Sequence, residues 1–385
     1  MVSAKIPWMD RRRFLWLGAT AAAASPGMLS AAIDSGAARR RLIQVNGYPP
    51  DAETPLELLD SYITPNDLFF VRNHWIPTTV DAKTWTLTVD GEVETPLRLS
   101  LADLRAMPRV SRTCVLQCAG NGRGLFSPPV AGVQWKYGAV GNARWTGVRV
   151  KDLLARAGVK PSALHVHAFG ADLPPGKVPP FHRSIEIEKL IEDGIVADEM
   201  NGEPLAPLHG APARLVVPGW AGDHWMKWLV RLSAGVAPQS GFYMDTAYRY
   251  PKAPGPPGEP VKPEDMAPVT ELFVKSNITT RPARAVIGRV SEIGGFAFSG
   301  APDVARVEVS EDGGVRWSDA RLDSRHEPFA WRRWTYPWKP ARSGEATILC
   351  RATDSRGRVQ PREAVWNPSG YLHNAWHAVT IPVAG

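Results

Sequence analysis

The segment YPKAPGPPGEPVKPEDMAP, residues 250–268, divides the sequence into two parts of different character. Proline and glycine dominate this segment, and that composition is typical of an exposed linker between domains. A chain of 385 residues is also long enough to form two domains. We therefore predict a domain boundary here, with residues 251–265 as the linker.

The sequence after the linker predicts a β-sandwich. Short runs of alternating apolar and polar residues follow one another, as in residues 304–322 and 345–357, and this pattern is typical of sandwich strands. The EDGG sequence at residues 311–314 is typical of a tight hairpin turn. We predict an immunoglobulin-like β-sandwich over residues 266–385, in which Cys350 is a buried apolar thiol.

The sequence before the linker mixes strand and helix patterns. KTWTLTVDGEV, residues 83–93, alternates like a strand that ends in a turn, whereas residues 146–159 have the apolar spacing of a helix that ends at Gly158. Ser100 is a typical first residue of another short helix. Because these patterns lack the regular rhythm of a parallel βαβ fold, we predict an α+β domain over residues 62–250.

The first 32 residues predict export from the cytoplasm. RRRFL at residues 11–15 precedes a short apolar run and then small residues, which is the order of an export signal. The arginine pair before Phe-Leu favours the twin-arginine pathway, with a plain secretory signal or an amphipathic helix as alternatives. We expect a periplasmic protein, folded around a cofactor before export, with no membrane span after cleavage. Residues 33–61 are interpreted as an irregular leader.

Composition excludes several other classes of protein. The formal net charge is +7, but part of it lies in the export signal, and no basic stripe with interleaved aromatic residues predicts a nucleic-acid partner. Three cysteines are too few for a disulfide-rich scaffold. The sequence has no C-x-x-C-H motif, so we expect no covalently attached haem.

Two of the three cysteines stand close together in TCVLQCAGNGR, residues 113–123. Cys114 lies inside a strand pattern and Cys118 at its end. Four extended residues span roughly 13 Å, whereas a disulfide needs Cα atoms within about 7 Å of each other. We therefore expect no disulfide between them, and we interpret Cys114 as a core residue.

Cys118 begins a loop with features of a functional site. Gly120 and Gly122 would allow the backbone to approach a ligand closely. The positive charge of Arg123 would favour the thiolate form of a nearby cysteine. A thiolate is a nucleophile or a soft metal ligand, and from these residues alone Cys118 could equally be structural.

Four segments, taken in order, resemble the sulfite oxidase family. QCAGNGR, residues 117–123, resembles the segment that carries the molybdenum-ligating cysteine of that family. Residues 69–77 (FFVRNHWIP) and 207–229 resemble its pterin-binding segments, and residues 364–383 resemble the last strands of its dimerisation domain. Together these similarities extend from about residue 62 to the C-terminus.

The resemblance implies a molybdenum centre held by one molybdopterin and by Cys118, with no haem in this chain. The positions that match residues holding the pterin and its phosphate are Phe70, Arg72, His74, Asp172, His209, Arg214, Lys227 and Arg249. The positions that match the anion-binding and catalytic pocket, beside Cys118, are Arg123, Trp135 and Tyr248.

The resemblance also implies a reaction and two protein contacts. Sulfite would be oxidised to sulfate, electrons would pass to an external acceptor such as a c-type cytochrome, and two copies would associate through the sandwich. One position departs from the family pattern, because Ser369 stands where sulfite-oxidising members usually have an arginine. This departure leaves open a related enzyme that acts on a sulfane sulfur or reduces a sulfoxide. A secreted binding protein without enzymatic activity is a further alternative.

Two histidine pairs were considered as separate metal sites. His165 and His167 are two residues apart on a predicted strand, and His373 and His377 are four residues apart. Neither pair has a cysteine or carboxylate neighbour that would complete a ligand set. We therefore do not predict a metal site at either pair.

Overall fold

Residues 42–385 are the part of the chain that the computed structural model describes. The predicted export signal, residues 1–32, and the beginning of the predicted leader lie outside these residues. The α-helices of the described part are α1 (Leu101–Arg105), α2 (Val150–Ala157) and α3 (Ile187–Asp193). None of the helices in this part is both long and apolar enough to cross a membrane.

Strands dominate both parts of the chain. The strands before the linker are β1 (Ile43–Asn46), β2 (Asp51–Glu53), β3 (Thr86–Gly91), β4 (Leu97–Ser100), β5 (Arg109–Gln117), β6 (Val140–Arg149), β7 (His165–Gly170), β8 (His182–Glu186), β9 (Ile195–Met200), β10 (Glu203–Pro204), β11 (Arg214–Val216) and β12 (Leu229–Gly235). The remaining strands are β13 (Arg249–Pro251), β14 (Met266–Pro268), β15 (Lys275–Thr280), β16 (Ala285–Val286), β17 (Ser291–Phe298), β18 (Val304–Ser310), β19 (Ser318–Asp319), β20 (Arg321–Leu322), β21 (Arg332–Trp338), β22 (Gly344–Asp354) and β23 (His377–Ala384).

The first domain contains two sheets. One sheet has the strand order β10-β9-β6-β5, with β11 also paired to β9, and the other has the order β4-β3-β12-β7-β8. In the second sheet β12 pairs parallel to β3 and antiparallel to β7. The sheets and the three helices enclose one apolar core. The predicted α+β class is therefore confirmed.

Local sequence signals explain where the helices begin and end. The Ser100 side chain accepts a hydrogen bond from the Asp103 N–H, and the Asp103 carboxylate accepts one from the Ser100 N–H, so a capping box begins α1. Helix α2 ends as predicted at Gly158, whose φ of 66° suits glycine. It begins at Val150, later than its sequence pattern suggested, because residues 146–149 extend β6 and pair with β9.

The leader is ordered where the structure describes it, which corrects the expectation of an irregular segment over residues 33–61. Strands β1 and β2 form a hairpin. The Asp51 carboxylate accepts the Asn73 N–H at 2.8 Å, and the Glu53 carboxylate accepts the Lys136 N–H at 2.9 Å. These buried carboxylates satisfy backbone donors of the first domain, and they attach the hairpin to it.

The second domain is a two-sheet sandwich, as predicted. Its sheets have the strand orders β15-β17-β21-β20 and β16-β23-β22-β18-β19. Alternate residues of the strands face a shared apolar core that contains Trp334, Trp338 and the fully buried Cys350. Strands β13 and β14 pair antiparallel, so the predicted linker is an exposed excursion between two paired strands.

The two domains share an apolar interface despite the linker. Ala119, just after Cys118, belongs to the same buried cluster as Phe296, Trp331 and Leu372 of the sandwich. Backbone hydrogen bonds cross the interface, from the Leu372 N–H to the Ala119 carbonyl at 2.9 Å and from Val115 N–H to the Phe329 carbonyl at 2.9 Å. The loop that follows β5 is therefore held from both sides.

Candidate active site

A cavity of about 80 Å³, open to solvent on one side, lies beside the end of β5. Its walls come from the first domain, and they combine aromatic side chains with several charged groups. The predicted residues that line it are Phe70, Arg72, His74, Cys118, Asp172, His209, Arg214, Lys227 and Tyr248. Residues from five separate segments of the sequence thus meet at one place.

Cys118 is held at the cavity by the loop that follows β5. Its N–H donates to the Ala139 carbonyl at 3.0 Å, which fixes the backbone where the strand ends. The thiol is free and forms no disulfide. Burial raises the pKa of the Cys118 thiol, whereas the nearby guanidinium groups of Arg72 and Arg123 act to lower it. Cys114 and Cys350 are fully buried core thiols, in agreement with the sequence.

The glycines after Cys118 make room for neighbouring side chains. A Cβ atom on Gly120 would lie 2.9 Å from the guanidinium of Arg123. Gly122 has a φ of +91°, and a Cβ there would lie 2.6 Å from the Cβ of His373 in the sandwich. The open backbone accommodates Arg123 on one side and the second domain on the other.

Two buried cations at the cavity have no carboxylate partner among the described residues. Arg214 donates to the backbone carbonyls of His209 and Trp225 at 3.0 and 3.3 Å. Its Nε is buried without a hydrogen-bond partner. The Lys227 ammonium donates to the backbone carbonyls of Arg72 and Leu208 at 2.9 and 3.0 Å and to the Asn73 Oδ1 at 2.5 Å. Burial lowers the pKa of Arg214 to about 9 and that of Lys227 to about 7.

A negatively charged ligand would stabilise these two buried cations. A buried charge is costly unless a counter-charge or strong hydrogen bonds compensate it. The third cation of the wall, Arg72, lies 3.6 Å from the Asp51 carboxylate. The Asp172 carboxylate offers only partial compensation, because burial raises its pKa while Lys227 acts to lower it.

Neutral polar and aromatic groups complete the wall. The His74 Nε2 and the Tyr248 hydroxyl are 2.7 Å apart. Burial, with neighbouring cations, holds the pKa of His74 well below its usual value, and burial raises that of Tyr248 well above it. His209 has a pKa of about 3 for the same reason. Both histidines are therefore neutral at pH 7, and the tyrosine keeps its proton.

Three predicted residues do not line the cavity. Arg249 donates to the carbonyls of Met244 and Met266, beside the β13–β14 pair. Trp135 is fully buried in the apolar core of the first domain. Arg123 donates to the Ser369 and Val133 carbonyls at 3.1 and 3.2 Å. Backbone carbonyls thus position the side chains of both Arg249 and Arg123.

Arg123 nevertheless stays connected to the cavity through an aromatic stack. Its guanidinium lies 5.1 Å from the centre of the Tyr371 ring. Tyr371 in turn stacks on the cavity residue Tyr248, with ring centres 5.3 Å apart and planes 9° apart. The Ser369 backbone carbonyl accepts a hydrogen bond from Arg123. The sandwich domain therefore helps to position Arg123.

The sequence analysis missed a charged group on the cavity wall. Asp223 lines the cavity and lies 3.1 Å from the Arg183 guanidinium, with both side chains fully buried. Asp223 stands within the segment 207–229 that the resemblance identified, and an acidic residue in an apolar run was an available signal. Arg183 lies 40 positions earlier, so nothing in the spacing indicated that it pairs with Asp223.

The cavity fits a molybdopterin by the chemistry of its donors. The buried cations Arg214 and Lys227 suit a phosphate, because an anion would compensate their charge and could accept a hydrogen bond from the unpartnered Arg214 Nε. The Cys118 thiol is a soft donor of the kind that a thiophilic metal requires. Among residues 42–385 no group of three or more histidine, cysteine or acidic side chains could hold a metal ion.

Comparisons with known proteins agree with this chemistry. Residues 73–243 match the family model of the oxidoreductase molybdopterin binding domain, and residues 267–384 match that of the Mo-co oxidoreductase dimerisation domain. The chain is 38% identical to mitochondrial sulfite oxidase of Mus musculus over 90% of its own length and 66% of that protein. It thus spans about two thirds of that relative.

Two further relatives are covered almost completely. Sulfite oxidase of Arabidopsis thaliana is 32% identical over 89% of this chain and 94% of its own length. The solved structure of the sulfane dehydrogenase SoxCD from Paracoccus pantotrophus superposes with a TM-score of 0.78 at 30% identity, covering 90% of this chain and 89% of that one. The architecture, the cavity and these similarities lead to one conclusion: the chain belongs to the sulfite oxidase family of molybdopterin oxidoreductases.

Proposed function

We propose that this protein oxidises sulfite to sulfate in the cavity beside Cys118 and passes the electrons to a separate acceptor such as a c-type cytochrome. The observation that carries the proposal is that a soft thiol and two buried cations without an ion-pair partner among the described residues line the same cavity. The sulfite oxidases among its relatives support this choice of substrate.

The cofactor has a specific set of residues to hold it. Arg214 and Lys227 would bind the molybdopterin phosphate, and Cys118 would ligate the metal. When bound, the molybdenum centre supplies the oxygen transfer and the storage of two electrons. Phe70 and His209 would pack against the pterin, and the neutral state of His209 keeps it available as a hydrogen-bond partner there.

The chain itself would bind and orient the anion. Arg72 provides a guanidinium on the cavity wall, and such a group binds an oxyanion through charge-assisted hydrogen bonds. The Tyr248 hydroxyl keeps its proton and can donate it, either to His74 or to sulfite. Phe181 stacks on His74, with ring centres 4.2 Å apart, and this aromatic side of the wall excludes water.

We also propose an assembly and a location. Two copies would associate through residues 267–384, since these match a dimerisation domain. The RRRFL sequence at residues 11–15 supports export by the twin-arginine pathway and a periplasmic location. Fractionation of cells that express the full chain, together with light scattering on the purified protein, tests both points. A cytoplasmic monomer would contradict both.

Steady-state turnover tests the reaction. Wild-type protein made in a host that synthesises molybdopterin should reduce two equivalents of cytochrome c for each sulfite oxidised, because the reaction releases two electrons. Cys118→Ser should lose this activity, whereas Cys350→Ala, a change at the buried thiol of the sandwich, should retain it. A wild-type protein that contains molybdenum but does not oxidise sulfite would contradict the proposal.

A second candidate function rests on Ser369. This residue gives Arg123 only a backbone carbonyl, where the family pattern usually supplies a further arginine side chain. The similarity to the sulfane dehydrogenase SoxCD supports a sulfane-sulfur substrate. Competition assays with sulfite and a peptide persulfide distinguish the two. A higher kcat/KM for the persulfide would favour this candidate, and Ser369→Arg should then shift the preference toward sulfite.

A further inference from the structure

Asp223 is an unusual group for the wall of a cavity that binds anions. The wall carries the cations Arg72, Arg214 and Lys227. Asp223 lies on the same wall, and neither of its buried carboxylate oxygens receives a hydrogen bond from any described residue. A buried carboxylate oxygen without a donor is costly. A structural salt bridge would not require that oxygen to remain free.

The two oxygens differ in their ion-pair contacts, because Oδ2 alone lies within ion-pair distance of neighbouring residues. Asp223 Oδ2 lies 3.1 Å from an Arg183 nitrogen and 3.3 Å from His224 Nδ1. The same guanidinium lies 3.1 Å from His224 Nε2. Because arginine can only donate, Nε2 must be the accepting nitrogen of a neutral His224, and the proton is on Nδ1, facing Asp223. Arg183, His224 and Asp223 therefore form a closed ring.

The ring directs Asp223 toward the side of the cavity that contains Tyr248. The Arg183 guanidinium lies 5.5 Å from the centre of the Tyr248 ring. The titratable or charged groups that face the carboxylate are Arg183, His224, Tyr248 and Tyr371. Arg183 cannot accept a proton, and burial keeps the pKa of His224 below its usual value and those of both tyrosines above theirs. Among these side chains, Asp223 provides the carboxylate that can accept a proton.

The proposed reaction needs such a group. Oxidation of sulfite consumes one water and yields sulfate, two protons and two electrons, and the electrons leave on two molecules of a one-electron acceptor. The guanidinium groups of Arg72 and Arg214 cannot take up a proton from the water. His74 and His209 are poor acceptors because burial and neighbouring cations keep them neutral. Asp172 and Lys227 each stabilise the charged form of the other, while burial acts against the charge of both.

We propose that Asp223 Oδ1 accepts one of the two protons released from water during turnover, with Arg183 and His224 as its positioning residues. The O–H bond of the water breaks and an O–H bond to Oδ1 forms. The second proton passes directly to solvent. The carboxylic acid later returns its proton to bulk water through the cavity. This inference rests on the proposed function, since the protons come from sulfite oxidation.

Kinetics of three variants test the inference. Asp223→Asn keeps the shape but removes the proton acceptor, so kcat should fall at least about 100-fold, with molybdenum content unchanged and KM not increased. The pH profile of kcat should differ between the wild type and this variant, because only the wild type has a carboxylate at this position. In Asp223→Ala, added formate should restore part of the activity. Asp245→Asn, at an exposed carboxylate nearby, should resemble the wild type.

A spectroscopic measurement gives a readout that does not depend on the rate. Infrared difference spectra recorded on mixing with sulfite should show a protonated-carboxyl band in the wild type, and this band should be absent from Asp223→Asn. If the wild type oxidises sulfite and Asp223→Asn has the same kcat and the same pH profile, the inference is overturned while the proposed function stands. Loss of molybdenum in that variant would assign Asp223 a structural role and would also overturn it. Absence of sulfite turnover in the wild type would remove the proposed function itself.

Discussion

At the scale of single residues, buried cations without an ion-pair partner occur both at the cavity and in the sandwich domain. Arg214 and Lys227 lie at the cavity without ion-pair partners in the described range, and a bound anion would compensate their charge. Lys275, at the start of β15, is a third such group. Its side chain is almost fully buried and its ammonium has no hydrogen-bond partner. It lies away from the cavity, so no cofactor compensates it.

Replacing Lys275 by methionine should therefore stabilise the protein. Burial lowers the pKa of Lys275 to about 7, while the unfolded chain keeps the ordinary lysine pKa of about 10.4. The penalty is therefore largest below about pH 7 and shrinks as pH rises toward 10.4, since each pKa unit corresponds to about 1.4 kcal/mol. Urea unfolding at low and high pH measures this difference. The exposed Lys262→Met is the control, and equal stability of the Lys275 variant and wild type at low pH would contradict the prediction.

Sequence reasoning found the cavity residues that stand in recognisable segments and missed those that act through distant partners. Cys118, Arg72 and Lys227 could be identified because each stands in a segment that resembles a segment of the sulfite oxidase family. The role of Gly120 could not be predicted. The Arg123 side chain fills the space that a Cβ at Gly120 would need, and the position of that side chain depends on the fold of the loop. The pairing of Arg183 with Asp223 likewise depends on how β8 packs, which local patterns do not contain.

At the scale of elements, short signals determine boundaries while packing determines positions. The capping box of α1 could be predicted in part from Ser100, and the end of α2 from Gly158. The hairpin β1–β2 could not, because its attachment depends on buried carboxylates that find backbone donors far along the chain. The loop after β5 is the element on which the site most depends, since it carries both Cys118 and Arg123.

Ser100→Ala tests the contribution of the helix cap. The change removes the side-chain acceptor for the Asp103 N–H and the partner of the Asp103 carboxylate. The free energy of unfolding should fall by about 1 kcal/mol, with no change in sulfite turnover, because α1 lies outside the cavity. Chemical denaturation provides the measurement, and the exposed Ser324→Ala is the control. A loss of activity at unchanged stability would show that the account of this helix is wrong.

Gly120→Ala tests the role of the glycine loop. The new Cβ would displace the Arg123 guanidinium, which lies 2.9 Å from its position. We expect kcat/KM for sulfite to fall about tenfold or more, since a misplaced charged group costs on the order of 1.4 kcal/mol in the transition state. Molybdenum content should not change. Gly255→Ala, where a Cβ meets nothing within 4 Å, is the matched control, and equal kinetics of the two variants would refute this role.

At the scale of the whole molecule, the sandwich domain contributes to the active site as well as to assembly. Tyr371 stacks between Arg123 and Tyr248, and the Ser369 carbonyl binds Arg123. The linker therefore does not separate two independent units. Its length is tolerated because β13 and β14 pair and bring its two ends together.

Tyr371→Phe and Tyr371→Ala test this coupling. Phenylalanine keeps the ring that contacts Arg123 and Tyr248, so its kcat/KM should stay within about threefold of the wild type. Alanine removes both contacts, and a cation–π contact and an aromatic pair are each worth about 1 kcal/mol. We therefore expect a loss of roughly tenfold or more in kcat/KM with molybdenum retained. Equal effects of the two substitutions would indicate that the hydroxyl matters and not the stack.

The central claim, that Cys118 ligates the metal, is tested most directly by X-ray absorption at the molybdenum edge of the wild type and of Cys118→Ser. The account predicts near-stoichiometric molybdenum in the wild type and one fewer sulfur ligand in the variant. Identical sulfur coordination in the two proteins, or a wild type that binds no molybdenum in a host that makes molybdopterin, would contradict it.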